Sequence, residues 1–166
     1  SPLLETHPDH TRDAAYDGAG GSMRFLVAYD GTDGAVAALA AAAKLARASA
    51  AEVTVLHVLN PLIDAADIVA PTTREALAKV ADASRTALTA RLEALDLVAD
   101  VRIEQLTHGE DDWEHVVHVA QDIEADIVVI GSRRSSGLAG ALLGSVSGAV
   151  VRHAPCPVLV VRPGEG

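Results

Sequence analysis

Aromatic side chains are nearly missing from this chain: its 166 residues include one tryptophan, two tyrosines and one phenylalanine. A surface that stacks single-stranded bases needs ring faces, so that class of partner is disfavoured. Cysteine is reduced to Cys156 alone, which excludes an intramolecular disulfide and a cysteine-based zinc cluster and suits a reducing cytoplasm. Lysine is scarce too, with Lys44 and Lys79 the only two, and the formal net charge is -10. Phosphate backbones are gripped by clustered Lys and Arg, so this balance reads against nucleic acid. No apolar run approaches the roughly 20 residues of a membrane span, and no basic segment leading into an apolar one stands at the start. The expectation is a soluble, cytoplasmic protein that makes no use of a membrane.

What is present is aliphatic. The chain is 49% hydrophobic with a mean hydropathy of +0.24, and its length suits one domain with a single sizeable core. Residues 1–22 mix His, Asp, Gly and Pro without a sustained period, which predicts a flexible tail or extension. Met23, the only methionine, stands immediately before the first strand-like run, so a native start there is one reading. The expected domain covers residues 23–166.

From Arg24 onward, β-branched apolar runs alternate with longer Ala-rich amphipathic stretches, the pattern of βαβ units. The predicted strands are RFLVAY, EVTVLHVL, DVRIEQL, ADIVVIG and CPVLVV. Helices are predicted over Asp33–Ser49, Thr72–Leu97, Glu110–Ile123 and Leu143–His153. The continuous IVVI and VLVV runs suit strands covered on both faces. Right-handed crossovers then favour an α/β fold: an open, doubly wound, five-stranded parallel sheet of order 3-2-1-4-5, with helices on both faces. Ligands are expected at the carboxyl ends of the strands where the winding reverses.

Two strand ends carry polar, glycine-bearing turns. AYDGTDG follows the first strand, and IGSRRSSGLAGALLGSVS, residues 130–147, follows the fourth. In the expected order these strands are neighbours, so Asp30 and Gly131 flank one crevice. An ionised carboxylate is acceptor-only, so Asp30 can accept hydrogen bonds from a ribose hydroxyl or an adenine amino group. The plainer alternative is a turn or helix cap made with Gly31 and Thr32. In the longer loop, glycine permits close backbone approach to a phosphate. LLGSVS then opens a helix whose unpaired amides face that phosphate, with Ser145 and Ser147 as further hydroxyl donors. No G-x-x-x-x-G-K-[ST] motif is present, so any phosphate is not held as in a P-loop ATPase.

From about Met23 to Pro163 the chain resembles the universal stress protein family of the UspA type. ATP-binding members carry G-x2-G-x9-G-[ST] between the fourth strand and fourth helix, and Gly131, position 134, Gly144 and Ser145 reproduce that spacing. LLGSVSGAVVRHAPCPVLVVR resembles the family's closing segment, and LVAYDGTDGA and VLHVL resemble its first two strand ends. The resemblance implies that Asp30 and Val58 contact a nucleoside and that Gly131, Gly144, Ser145 and Ser147 surround phosphates. The expected cofactor-binding set is Ala28, Asp30, Gly31, Thr32, Val58, Ile130, Gly131, Arg133, Arg134, Gly144, Ser145, Val146 and Ser147, for ATP or AMP with or without magnesium. One position departs from the motif: Arg134 stands where the second glycine belongs. Two readings stay open. With Arg133 it can offer a guanidinium fork to a phosphate, or it can fill the site that glycine would leave clear.

His115 and His118 share the third helix with Asp111 and Asp122, a stripe that reads as the solvent face of an amphipathic helix opposite Trp113, Val116, Val117, Ala120 and Ile123. No metal site is expected. His57 reads as a hydrogen-bonded structural histidine near the nucleoside end of strand two, and Cys156, between Pro155 and Pro157, as an inert thiol. No serine triad or nucleophile elbow is evident and no catalytic residue is assigned. Three functions remain open: a nucleotide-binding regulatory module, a slow ATP hydrolase or phosphotransferase, and a ligand-free dimeric scaffold. The last strand, Val158 to Val161, falls at a sheet edge, and an apolar edge of this kind predicts a homodimer across it, as the resemblance also implies.

Overall fold

The computed structural model describes residues 21–60, 74–107, 109–132 and 143–164. The expected tail at 1–22 lies outside them except for its last two residues, of which Ser22 donates its hydroxyl to the carbonyl of Ala50 at 2.6 Å. The described residues form nine elements: β1 (Arg24–Tyr29), α1 (Asp33–Ser49), β2 (Glu52–Leu59), α2 (Arg74–Ala94), β3 (Asp100–Gln105), α3 (Asp112–Asp122), β4 (Ile127–Gly131), α4 (Ser145–His153) and β5 (Val158–Val161). The strands form one parallel sheet in the expected order β3-β2-β1-β4-β5.

Strand alternation divides the core between two faces. Phe25, Val27, Val53, Val55 and Val129 meet Leu39 and Ala42 of α1 and Leu88 and Leu92 of α2 on one side. Leu26, Leu56, Val128 and Ile130 meet Val116, Val119 and Ala120 of α3 and Val150 of α4 on the other. The alanines of α1, including the buried Ala35, Ala38, Ala42, Ala43 and Ala46, keep that helix thin where it lies on the sheet.

Element ends differ from the sequence expectation where local hydrogen bonding intervenes. α2 stops at Ala94 rather than Leu97 because Asp96 takes the left-handed conformation (φ 50°) and the Leu97 amide turns back to the Leu92 carbonyl at 3.0 Å. α3 begins at Asp112, its entry held by Glu114, which accepts from the Asp111 amide at 3.3 Å. β5 begins at Val158 rather than Cys156, after Pro157, which has no amide to donate to a ladder.

Candidate functional site

β1 and β4 lie side by side, but β1 leads into α1 on one face and β4 leads towards α4 on the other. Loops that leave neighbouring strands in opposite directions open a crevice between them. A pocket fills this position. Its apolar wall is Ala28, Leu56, Val58, Val116, Ile130 and Val146, and its polar groups come from Asp30, Thr32, Asp112, Ser132, Gly144 and Ser147. Tyr29, Ala35 and Gly131 complete the lining. Parallel register explains the floor. Ala28 is opposite both Leu56 and Ile130, so a small side chain lies between two large ones across three strands.

The turn after β1 is tied by Asp30. The amide and hydroxyl of Thr32 both donate to Asp30 Oδ1, at 3.0 and 2.6 Å. Gly31 between them has φ +81°, a conformation that costs a residue with a Cβ about 1–2 kcal/mol. Thr32 then caps α1, its Oγ accepting from the Ala35 amide at 3.3 Å. The turn role considered for Asp30 is therefore present. It engages only Oδ1, so Oδ2 remains an acceptor beside the pocket. Gly31 itself is not among the lining residues.

Gly131 has a packing role. A Cβ there would stand 2.7 Å from the Ala35 nitrogen and closer still to the carbonyl of Gly34, while a Cβ on Gly34 would strike the carbonyl of Ser132. The two glycines let the first turn of α1 rest on the end of β4, backbone against backbone.

α4 enters the pocket without a side-chain cap. Gly144 occupies the N-cap position in an extended conformation, and the amides of Ser145, Val146 and Ser147 have no intrahelical acceptor. A helix start of this kind attracts an anion. Ser147 is 5% exposed and donates its hydroxyl to the Gly144 carbonyl at 3.2 Å, so its hydrogen is already engaged. Ser145 is exposed and does not line the pocket. Arg133 and Arg134 lie outside the described residues. Among the described lining residues Asp30 and Asp112 carry carboxylates and none is Lys or Arg.

Sequence reasoning named Ala28, Asp30, Thr32, Val58, Ile130, Gly131, Gly144, Val146 and Ser147, which the fold gathers around this one pocket. It missed Tyr29, Ala35, Leu56, Asp112, Val116 and Ser132. Leu56 was accessible from parity, two residues before Val58 on the same strand. Asp112 and Val116 arrive through the packing of α3, which no local pattern reveals.

The remaining candidates have other surroundings. His57 lies on the opposite face of β2 from Leu56 and Val58, its ring edge-on to Tyr29 at 5.6 Å, and is not a lining residue. Burial pushes the Cys156 thiol up, away from the reactive thiolate. His115 does not face solvent as its helical stripe suggested. Its side chain is 18% exposed, with Nδ1 2.6 Å from Glu104 of β3 and Nε2 3.1 Å from Glu110. Among the described residues no group of three or more His, Cys, Asp or Glu side chains is placed to hold a metal ion, and no helix is long and apolar enough to cross a membrane.

Comparison with known proteins fixes the lineage. The model of the universal stress protein family matches residues 22–162. The chain belongs to the universal stress protein family. A universal stress protein of Thermus aquaticus is 35% identical over 137 residues, covering 82% of this chain and 96% of the relative. Among solved structures, the universal stress protein UspA from Lactobacillus plantarum superposes with a TM-score of 0.66 at 25% identity, covering 86% of this chain and 100% of that one. A universal stress protein solved in complex with cAMP superposes with a TM-score of 0.58 at 25% identity, covering 87% of this chain and 100% of that one. The five-stranded parallel order is thus that of a universal stress protein.

Proposed function

We propose that this universal stress protein is a regulatory module that binds an adenine nucleotide, ATP or AMP, at the carboxyl ends of β1 and β4. The observation that carries the proposal is the uncapped start of α4 opening onto a pocket whose other wall is aliphatic. One part suits phosphate and the other suits a base, as in a small-molecule site with a few convergent polar groups. The cAMP complex of a family member supports the same ligand class. Asp30 Oδ2 would accept from the nucleoside, Ala28, Val58 and Ile130 would contact the base or sugar, and the Gly144–Ser147 turn would receive phosphate.

The acidic described lining leaves Arg133 and Arg134 as the nearest guanidinium groups in sequence. Calorimetry with ATP, AMP and adenosine on the wild type, Asp30→Ala, Arg134→Ala and Arg134→Gly tests the proposal. Asp30→Ala should weaken adenosine and ATP alike. If Arg134 grips phosphate, Arg134→Ala should weaken ATP by about 1.5–3 kcal/mol and salt should weaken the wild type. If it obstructs, Arg134→Gly should bind more tightly than the wild type. No adenine nucleotide bound at millimolar concentration by either the wild type or Arg134→Gly would end the proposal.

The same module is proposed to act as a homodimer paired along β5. Leu159 is 37% exposed on this outer strand, whereas the opposite edge strand, β3, carries Asp100, Arg102 and Glu104. Charges blunt one edge and leave the other open to a second copy.

A further inference from the structure

Among the described residues three aliphatic hydroxyls line the pocket, and one of them has an uncommitted hydrogen. Thr32 donates to Asp30 at 2.6 Å and Ser147 donates to Gly144 at 3.2 Å. Ser132 is 3% exposed, and its hydroxyl is buried with no hydrogen-bond partner among the described residues. Ser132 and Ser147 are the buried polar residues of the described chain, and both line this pocket. A buried hydroxyl without a partner is costly to retain, so its position calls for an explanation.

The backbone of Ser132 is fixed on two sides. Its amide extends the β4–β5 ladder, donating to the Val161 carbonyl at 2.8 Å, and its carbonyl lies against Gly34. Continued alternation along β4 places position 132 on the same face as Val128 and Ile130, the face covered by α3 and α4. The uncapped first turn of α4 opens on that face.

The geometry points to Ser132 as a phosphate-binding residue of this pocket, its free hydroxyl donating to a phosphoryl oxygen held at the α4 N-terminus. This rests on the nucleotide proposal above and adds to it a donor at a position that the spaced glycine motif leaves unspecified. The anion would complete two incomplete sets at once: the first-turn amides of α4, which have no intrahelical acceptor, and the hydroxyl, which has no partner among the described residues. Ser147, the donor expected from the sequence, would contribute its amide rather than its hydroxyl hydrogen.

The test pairs stability of the ligand-free protein with affinity. Ser132→Ala removes an unpaired buried hydroxyl with little change of shape, so the ligand-free Tm should rise by about 2–4 °C. Affinity for ATP and AMP should fall by about tenfold or more, while affinity for adenosine stays unchanged. Ser132→Cys, nearly the same shape with a weaker donor, should also lose nucleotide affinity and carries this arm if the alanine variant folds poorly. Unchanged ATP affinity in a folded variant would overturn the role of Ser132 and leave the nucleotide proposal intact. An equal loss for adenosine would overturn the phosphoryl assignment, as would a fall in the ligand-free Tm without a change in affinity. A wild type that binds no adenine nucleotide would overturn both proposals together.

Discussion

At Gly131 the carboxyl end of β4 touches the backbone of α1, and the contact leaves no room for a methyl group. Gly131→Ala should therefore destabilise the ligand-free protein by about 3 kcal/mol, since the obstructing atoms are backbone and cannot rotate away. Chemical denaturation checks this, and a change below about 1 kcal/mol would show that α1 can shift. The same variant is a poor probe of phosphate binding, because packing fails before any ligand is involved. Gly131 was legible in the sequence as a motif glycine, but its reason was not: the neighbour it must admit, Gly34, lies far away in the chain. Ser132 was equally hidden. A serine in a Gly- and Ser-rich loop gives no sign of its burial, and burial is what distinguishes it from Ser145.

His115 links elements that the sequence keeps apart, β3 through Glu104 and the entry to α3 through Glu110, which also accepts from the Thr107 amide at 3.0 Å. Glu114 and His118 border the same depression. Burial alone would lower the pKa of His115, but its hydrogen bonds to the two carboxylates prevail and raise it above the ordinary 6.5. Glu110 is lowered to about 2, by hydrogen bonds from Thr107 first and from His115 after them. A histidine raised in the folded state stabilises fully below its unfolded pKa, and the contribution fades as pH climbs through the folded value. His115→Gln should thus lower Tm more at about pH 6 than at about pH 9, in thermal scans of both proteins. An equal loss at both would mean that shape, rather than charge, holds the loop. The helical period of α3 was legible, and so were all five strands, because β-branched runs bounded by turn residues are local signals. The error over His115 arose because its first carboxylate comes from a neighbouring strand, and a period counted along one helix cannot register it.

For the molecule as a whole, the asymmetry of the two sheet edges is what the proposed pairing along β5 rests on. β3 ends the sheet with alternating charges, Arg102 bonded to Asp122 at 2.8 Å, while β5 offers VLVV with Leu159 outward. Light scattering at micromolar concentration should find a dimer, and Leu159→Lys should yield a folded monomer. A wild-type monomer, or a dimer indifferent to that change, would count against pairing along β5. This edge was readable in the sequence once the strand order was inferred, since order alone decides which strand lacks a neighbour. Away from the sheet edges, Trp113 of α3 stacks on His153 in the last turn of α4, with ring centroids 4.7 Å apart and planes 26° from parallel. The protein therefore contains its own optical reporter. With a single indole in the chain, tryptophan emission has one source. That source lies outside the pocket lining, against the far end of the helix whose first turn borders it. If a nucleotide binds at that first turn as proposed and shifts α4, the overlap of the two rings changes with it, and tryptophan emission of the unlabelled protein should then titrate with ATP; an emission unchanged at saturating ATP would show that the far end of α4 stays in place.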